Sequence, residues 1–326
     1  MLITRTPFRM SFFGGGTDYY EYFSRYGGKV LSTTIDKYCY LSMRNLPEFF
    51  EYKNQVTYSK IERFNNPSEV QHPLVREALR YIPTDRIQIA YDADLPACSG
   101  IGSSSAFAVG LIQGLRAMHD EFPDKMTLAK QAIHLERELC NEAGGVQDQI
   151  AAAVGGFNRL EFDSEGYRII PVCVAEERLR DFEKNLLLMF TGFTHFSGQI
   201  AIQQKENISS RVSELHEMKA LVDVAEDILT QGELEDFGRL LDHTWKLKRT
   251  LSDSITNSQI DSLYSKAKEN GALGGKLLGA GGGGFMLLYV PEEKQQKLKE
   301  SMSEMKFVPV SFENSGTKII YKNNSI

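Results

Sequence analysis

The chain has 326 residues, 42% hydrophobic and 25% charged, with a formal net charge of −6. These proportions belong to a globular protein of about two domains, long enough to bury a large core without disulfide staples. The acidic balance argues against nucleic acid or an anionic membrane as main partner. It leaves room for ATP, whose charge local basic residues and magnesium can meet.

In chain order, the first 46 residues read as strands, with LITRTPFRMSFF broken by Gly14, Gly15 and Gly16 and followed by the β-rich pair KVLSTTI and KYCYLSM. A short helix is predicted over 71–82, ended by Pro83. The alternation in RIQIAYD predicts a half-buried strand at 86–92, and Ala108, Leu111, Ile112 and Leu115 mark a helix reaching about His119. Leu128, Ala132, Leu135 and Leu139 mark an amphipathic helix broken by Gly144 and Gly145, after which VQDQIAAAV forms a short helix. GFNRLEF and YRIIPV predict a hairpin around Ser164–Gly166. The second half opens on the strand LLLMFTG. Long helices follow at 199–229 and 233–251, the first with Leu215, Met218, Leu221, Val222 and Ala225 on one face. A helix from Asn257 to Asn270, a strand GFMLLYV, a polar helix at 294–304 and terminal strands FVPVSF and KIIY complete the chain. Strands and helices mix without regular β-α alternation, so the class expected is α+β, with a division near the charged stretch EERLRDFEK into residues 1–180 and 181–326.

Cys39, Cys98, Cys140 and Cys173 stand singly, without metal spacing, which points to a reducing compartment. MLITRTPFRMSFF is too polar for a signal peptide, and no run approaches the ~18 apolar residues of a membrane span, so a cytoplasmic protein without membrane contact is expected.

Residues 94–107, DLPACSGIGSSSAF, carry the most chemistry. The order strand, glycine–serine loop, helix exposes backbone N–H groups where Gly100 and Gly102 have no side chain to keep an anion away. The first N–H groups of the helix lack partners and carry the positive end of its dipole, so phosphate is the usual guest. Ser103, Ser104 and Ser105 add hydroxyls for phosphate oxygens or a metal. This loop holds neither the Gly-Lys-Ser/Thr pattern nor the G-x-G-x-x-G fingerprint, and a serine-rich helix cap is the plainer alternative. Two more glycine-rich stretches weigh against that alternative. GGKLLGAGGGG at 274–284 is pinned before an apolar strand, unlike a flexible linker, and TPFRMSFFGGGTDYY sets Arg9 and Asp18 around a triple glycine.

Together the three stretches resemble the GHMP family of small-molecule kinases, which includes galactokinase, homoserine kinase and the mevalonate kinases. Pro96-x-x-x-Gly100-Ile101-Gly102-Ser103-Ser104 is similar to the family's P-x-x-x-G-L-G-S-S motif, and Gly279-Ala280-Gly281-Gly282-Gly283-Gly284 to its C-terminal motif. Arg9, Gly14, Thr17, Asp18 and Tyr19 match the N-terminal motif of its sugar kinases, with Gly15 and Gly16 replacing the Glu-His pair of galactokinases. GGGTDYYEYF, LERELCNEAGGVQDQIAAAVGGFN and TNSQIDSLYSKAKENGALGGKLLGAGGGGF resemble the bacterial heptose kinases, which phosphorylate the anomeric hydroxyl of D-glycero-D-manno-heptose 7-phosphate. One departure is His195, near which relatives often carry arginine.

The resemblance implies a two-domain fold, ribosomal-protein-S5-like at the N-terminus and ferredoxin-like at the C-terminus. It implies ATP and magnesium as cofactors and a sugar or sugar phosphate as substrate. Asp148 matches the catalytic aspartate, against the plain reading of a helix-dipole carboxylate, and Arg9 the basic residue near the transferring phosphate. Pro96, Ser99, Gly100, Ile101, Gly102, Ser103, Ser104 and Ser105 are implied at the nucleotide. Gly14, Gly15, Gly16, Thr17, Asp18, Gly281 and Gly282 are implied at the acceptor. Ser104 and Glu136 are implied at magnesium, with Glu138 and Glu142 competing on the same helix. His195, Lys205, Lys248 and Arg249 are candidate partners for a phosphate on the substrate. A sugar-responsive binding protein of the same fold is the rival reading; the presence of Arg9, Asp148 and Ser104 together favours an enzyme.

Overall fold

A computed structural model describes residues 1–193 and 197–323. Among these residues the strands form two sheets. The larger has nine strands built around Gly28–Asn45, which pairs antiparallel with Leu2–Phe13 along its length. Its early residues also pair with Phe157–Asp163 and its late ones with Ile87–Ala93. The two segments KVLSTTI and KYCYLSM are thus one strand of 18 residues, because Asp36 between them is accommodated without a turn. The smaller sheet runs Lys306–Val308, Leu186–Phe190, Phe285–Tyr289, Gly274–Leu277, all antiparallel.

The amphipathic helices lie where their periodicity places them. Ser103–Met118 buries Ala108, Leu111, Ile112 and Leu115 against the large sheet. Val212–Gln231 buries Leu215, Met218, Val222 and Ala225. The stretch 199–229 is not one helix: Ser197–Asn207 ends, a short 3-10 turn Ile208–Ser210 intervenes, and the chain restarts at Val212. Tyr20–Tyr26 is helical although YYEYF is rich in β-formers, since Tyr22 and Phe23 are buried on one side of the turn. The helix Lys125–Ile133 passes into a π-helical turn, His134–Leu139. The wider turn shifts the 3.6-residue spacing, so Leu128, Ala132 and Leu135 are buried while Leu139 is exposed.

Phe12 from the large sheet, Phe182 from the helix Glu176–Lys184 and Phe237 from the helix Leu234–Thr250 meet in one aromatic cluster. It ties the two halves together. The last strands, Phe312–Glu313 and Lys318–Lys322, return to pair with the first half's sheet. The division expected at 180/181 falls inside the helix Glu176–Lys184.

Candidate active site

Arg9 is aimed by an irregularity in its strand. Pro7 has no N–H to give the ladder, and the register with Gly28–Asn45 slips between Pro7 and Arg9. The Arg9 N–H is released to the Ile101 carbonyl, 3.1 Å away in the glycine–serine loop. The guanidinium follows: Nη1 donates to the Gly100 carbonyl at 2.7 Å, while Nε and Nη2 donate to the two oxygens of Asp148 at 2.7 and 2.6 Å. This two-point pair fixes the plane of the Asp148 carboxylate as well as offsetting its charge.

Asp148 stands in the first turn of the helix Gln147–Val154. The loop before it is held from two sides. Arg137 donates to the Gly145 and Glu142 carbonyls at 3.1 Å each. Asp18 Oδ2 accepts the Gln147 N–H at 3.3 Å, and its Oδ1 the Gly16 N–H at 3.0 Å. Gly145 has to be glycine here: a Cβ on it would lie 1.8 Å from Asp18 Oδ2. Burial first, and the neighbouring Asp148 second, push the Asp18 carboxyl above its usual range.

Gly102 caps the helix Ser103–Met118 in the left-handed region, φ 74°, with no side chain bonded to the open N–H groups. Those donors and the hydroxyls of Ser103 and Ser104 border one cavity of about 200 Å³, whose walls also carry Arg9, Asp18, Glu136 and Asp148. Gly100, Gly15, Gly16 and Ser105 line it as well. Pro96, Ser99 and Ile101 stand behind the loop: Ser99 Oγ donates to the Pro96 carbonyl at 2.6 Å, and Ile101 is buried. Gly14 and Thr17 shape the N-terminal turn, Thr17 Oγ1 donating to the Gly14 carbonyl at 2.7 Å. Gly281 and Gly282 pack on Ile255, away from the cavity wall. The C-terminal glycines instead let two backbones touch, since a Cβ at Gly279 would lie 2.6 Å from Gly100 Cα.

Glu136 sits on the π-helical turn and is 1% exposed. Its oxygens accept from Ser104 Oγ at 2.9 Å, Ser105 Oγ at 2.8 Å and the Gln149 amide. All three donors are neutral, and no ion pair to Glu136 occurs among the described residues. A buried carboxylate joined to a hydroxyl at a cavity wall is a set of hard oxygen donors that fits magnesium. No cluster of three or more metal-ligating side chains occurs among the described residues. Glu138 is exposed and pairs with His134. Glu142 lines the cavity, its carboxyl pushed up to about 7 by burial and then by Glu136.

Among the candidate cations, Lys205 and Arg249 pair on the surface with Glu21 and Asp261. His195 lies outside the described residues. Lys248 reaches the cavity, and so does Lys276, which sequence reasoning passed over inside a glycine-rich run. Ser11 Oγ and Gln147 Oε1 are also cavity residues, buried and without a hydrogen-bond partner.

An anion cradle at a helix start, an arginine-clamped aspartate and a buried carboxylate–serine pair around one cavity define an ATP-dependent small-molecule kinase. The sequence comparisons place it further. The model of the GHMP kinases N terminal domain matches residues 72–156, and that of the GHMP kinases C terminal domain matches residues 219–306. The chain belongs to the GHMP kinase family. It is 29% identical over 332 positions to the D-glycero-alpha-D-manno-heptose 7-phosphate kinase of Campylobacter jejuni, covering 97% of each chain. It is 25% identical to the bifunctional fucokinase/GDP-fucose pyrophosphorylase of Arabidopsis thaliana, spanning 91% of this chain but 31% of that longer protein. In fold it matches the crystal structure of a D-glycero-D-manno-heptose 1-phosphate kinase from Bacteroides thetaiotaomicron, with a TM-score of 0.81, 21% identity and 100% coverage of both chains. The α+β, two-domain GHMP kinase fold is therefore the fold of this protein. No helix among the described residues is long and apolar enough to cross a membrane.

Proposed function

We propose that this kinase transfers the γ-phosphoryl group of ATP to the anomeric hydroxyl of a manno-configured heptose carrying a phosphate at C7, D-glycero-D-manno-heptose 7-phosphate, giving the 1,7-bisphosphate. The observation that carries the transfer is the Arg9–Asp148 pair beside the cradle, with Arg9 also bonded to the loop at Gly100. The open N–H groups at Gly102–Ser105 hold phosphate oxygens of the donor. Asp148 orients the acceptor hydroxyl and takes its proton as the new O–P bond forms and the bond to ADP breaks. Arg9 keeps that carboxylate in place and offsets charge on the transferring group. Ser11 Oγ and Gln147 Oε1 have hydrogen bonds still to make, which suits a polyhydroxylated acceptor. Ser104 and Glu136 would hold magnesium, which would supply positive charge to offset that of the phosphates. Support for the heptose comes from the likeness to the Campylobacter jejuni enzyme along nearly the whole chain and from the triple glycine, where galactokinases have bulkier residues.

A panel of acceptors with ADP release as readout tests the proposal: heptose 7-phosphate, unphosphorylated heptose, mannose, fucose and galactose. Heptose 7-phosphate should give the highest kcat/KM. Preference for fucose would transfer the assignment to a fucokinase-like activity, and no release with any sugar would refute a sugar acceptor. In the same assay Ser104→Ala should raise the magnesium concentration giving half-maximal rate; an unchanged requirement would locate the ion elsewhere.

A further inference from the structure

Two lysines from the C-terminal half converge on the cavity, Lys276 from the strand Gly274–Leu277 and Lys248 from the helix Leu234–Thr250. They are 2% and 6% exposed. Every hydrogen bond their ammonium groups make among the described residues ends on a backbone carbonyl. Lys276 donates to Phe12 at 2.9 Å, and Lys248 to Leu277 at 2.8 Å and to Gly279 at 2.5 Å. Neither has a carboxylate within ion-pair distance among those residues. An ammonium has three donors, so Lys276 in particular has donors to spare. Arg9 adds a third cation nearby. Of the carboxylates on the same cavity, Asp148 is committed to Arg9, Asp18 to backbone N–H groups and Glu136 to neutral hydroxyl and amide donors, while Glu142 makes no ion pair with either lysine among the described residues. Burying two ammonium groups without a carboxylate partner is costly. The cost shows in their acidity: burial, then Arg9, brings Lys276 down to about 7, and burial, then Lys276, brings Lys248 well below its usual range. An anion between them would reverse both effects.

We propose that Lys248 and Lys276 form a phosphoryl-binding site on the C-terminal wall of the cavity, completed by the substrate's anion in place of a protein carboxylate. The location favours a phosphoryl group over a simple carboxylate ligand. Lys248 holds the Gly279 carbonyl, and Gly279 rests on Gly100 of the cradle, so the lysines share a backbone framework with the phosphate loop. The group is either the one in transfer from ATP or one already on the acceptor. This rests on the kinase reading, and its test keeps the two sources and the two readings apart.

The experiment uses the full chain as wild type, Lys248→Met, Lys276→Met and the double variant, each checked for folding by circular dichroism and melting. Kinetics are measured with heptose 7-phosphate and with unphosphorylated heptose, and affinity for inorganic phosphate by calorimetry. The calorimetric affinity of the double variant should fall at least about tenfold. If the acceptor's phosphate binds there, KM for heptose 7-phosphate rises at least about tenfold while KM for heptose stays within twofold. If the transferring group binds there, kcat falls at least about tenfold with both acceptors. Folded variants with phosphate affinity and both sets of constants within twofold of wild type overturn the proposal. Should wild type turn over neither acceptor, the sugar reading fails and phosphate affinity alone decides the lysine site. Should the variants not fold, lysine 15Nζ spectra of wild type replace them: two buried ammonium signals should move on adding inorganic phosphate, and unmoved signals overturn the site.

Discussion

Arg9 serves two segments with one guanidinium, clamping Asp148 and holding the Gly100 carbonyl of the cradle. Its place at the cavity was legible in the sequence because Arg9, Asp148 and Glu136 lie in stretches that resemble family motifs, each local to a few positions. Lys276 was not legible. Within GGKLLGAGGGG it looks like punctuation, and only the smaller sheet's position shows it buried against Phe12. That burial has a measurable consequence for the ligand-free protein. The unfolded chain holds the ammonium near 10.5 and the folded one near 7, so stability falls progressively as pH drops from about 10.5 to about 7 and is regained only on return toward 10.5. Arg9 and Lys248 repel this charge and Asp18 attracts it, and the net shift is downward. Lys276→Met removes the penalty while leaving the Phe12 carbonyl unpaired. It should stabilise the ligand-free protein by about 1–3 kcal/mol at pH 6, with the gain shrinking toward pH 10. Calorimetric melting across that range checks it. A variant that melts below wild type at pH 6 would show that the charge is comfortably solvated.

At the scale of elements, the helix Ser103–Met118 is useful at its beginning rather than along its length. Its cap is a glycine with φ 74°, and a Cβ there would stand 3.2 Å from Arg9 Cγ. Gly102→Val would strain the backbone and crowd the guanidinium that positions Asp148. We expect ATP affinity, by calorimetry, to fall at least about tenfold in the folded variant; an unchanged affinity would put the phosphates elsewhere. Strand, loop and helix were readable here because the apolar spacing changes from two to nearly four across the glycines. Other elements were not. The π-helical turn His134–Leu139 leaves no local mark, yet it displaces Leu139 from the buried stripe and carries Glu136 to Ser104. The strand Gly274–Leu277 has two glycines in four positions, and its pairing with Phe285–Tyr289 supplies what its composition lacks.

Across the whole molecule, the two halves are bound to each other at the cavity. The aromatic cluster of Phe12, Phe182 and Phe237 joins them, and Lys276 crosses from the smaller sheet to the carbonyl of Phe12. The return of Lys318–Lys322 to the edge of Leu2–Phe13 steadies the strand on which Arg9 sits. Sequence patterns show each of these segments as a strand or helix but not which sheet receives it, because pairing partners more than 300 residues apart leave no periodicity in either segment. The glycine–serine loop, the Arg9–Asp148 pair and the lysines thus come from distant parts of the chain, and under the proposed function they act as one phosphoryl-transfer site turning on the Asp148 carboxylate. The direct measurement is the turnover of Asp148→Asn with ATP and the preferred acceptor, alongside its calorimetric affinity for ATP. The substitution keeps the shape and removes the charge. Turnover should fall by about 10²–10⁴-fold with ATP affinity little changed. A folded Asp148→Asn protein that turns over near the wild-type rate would contradict the account.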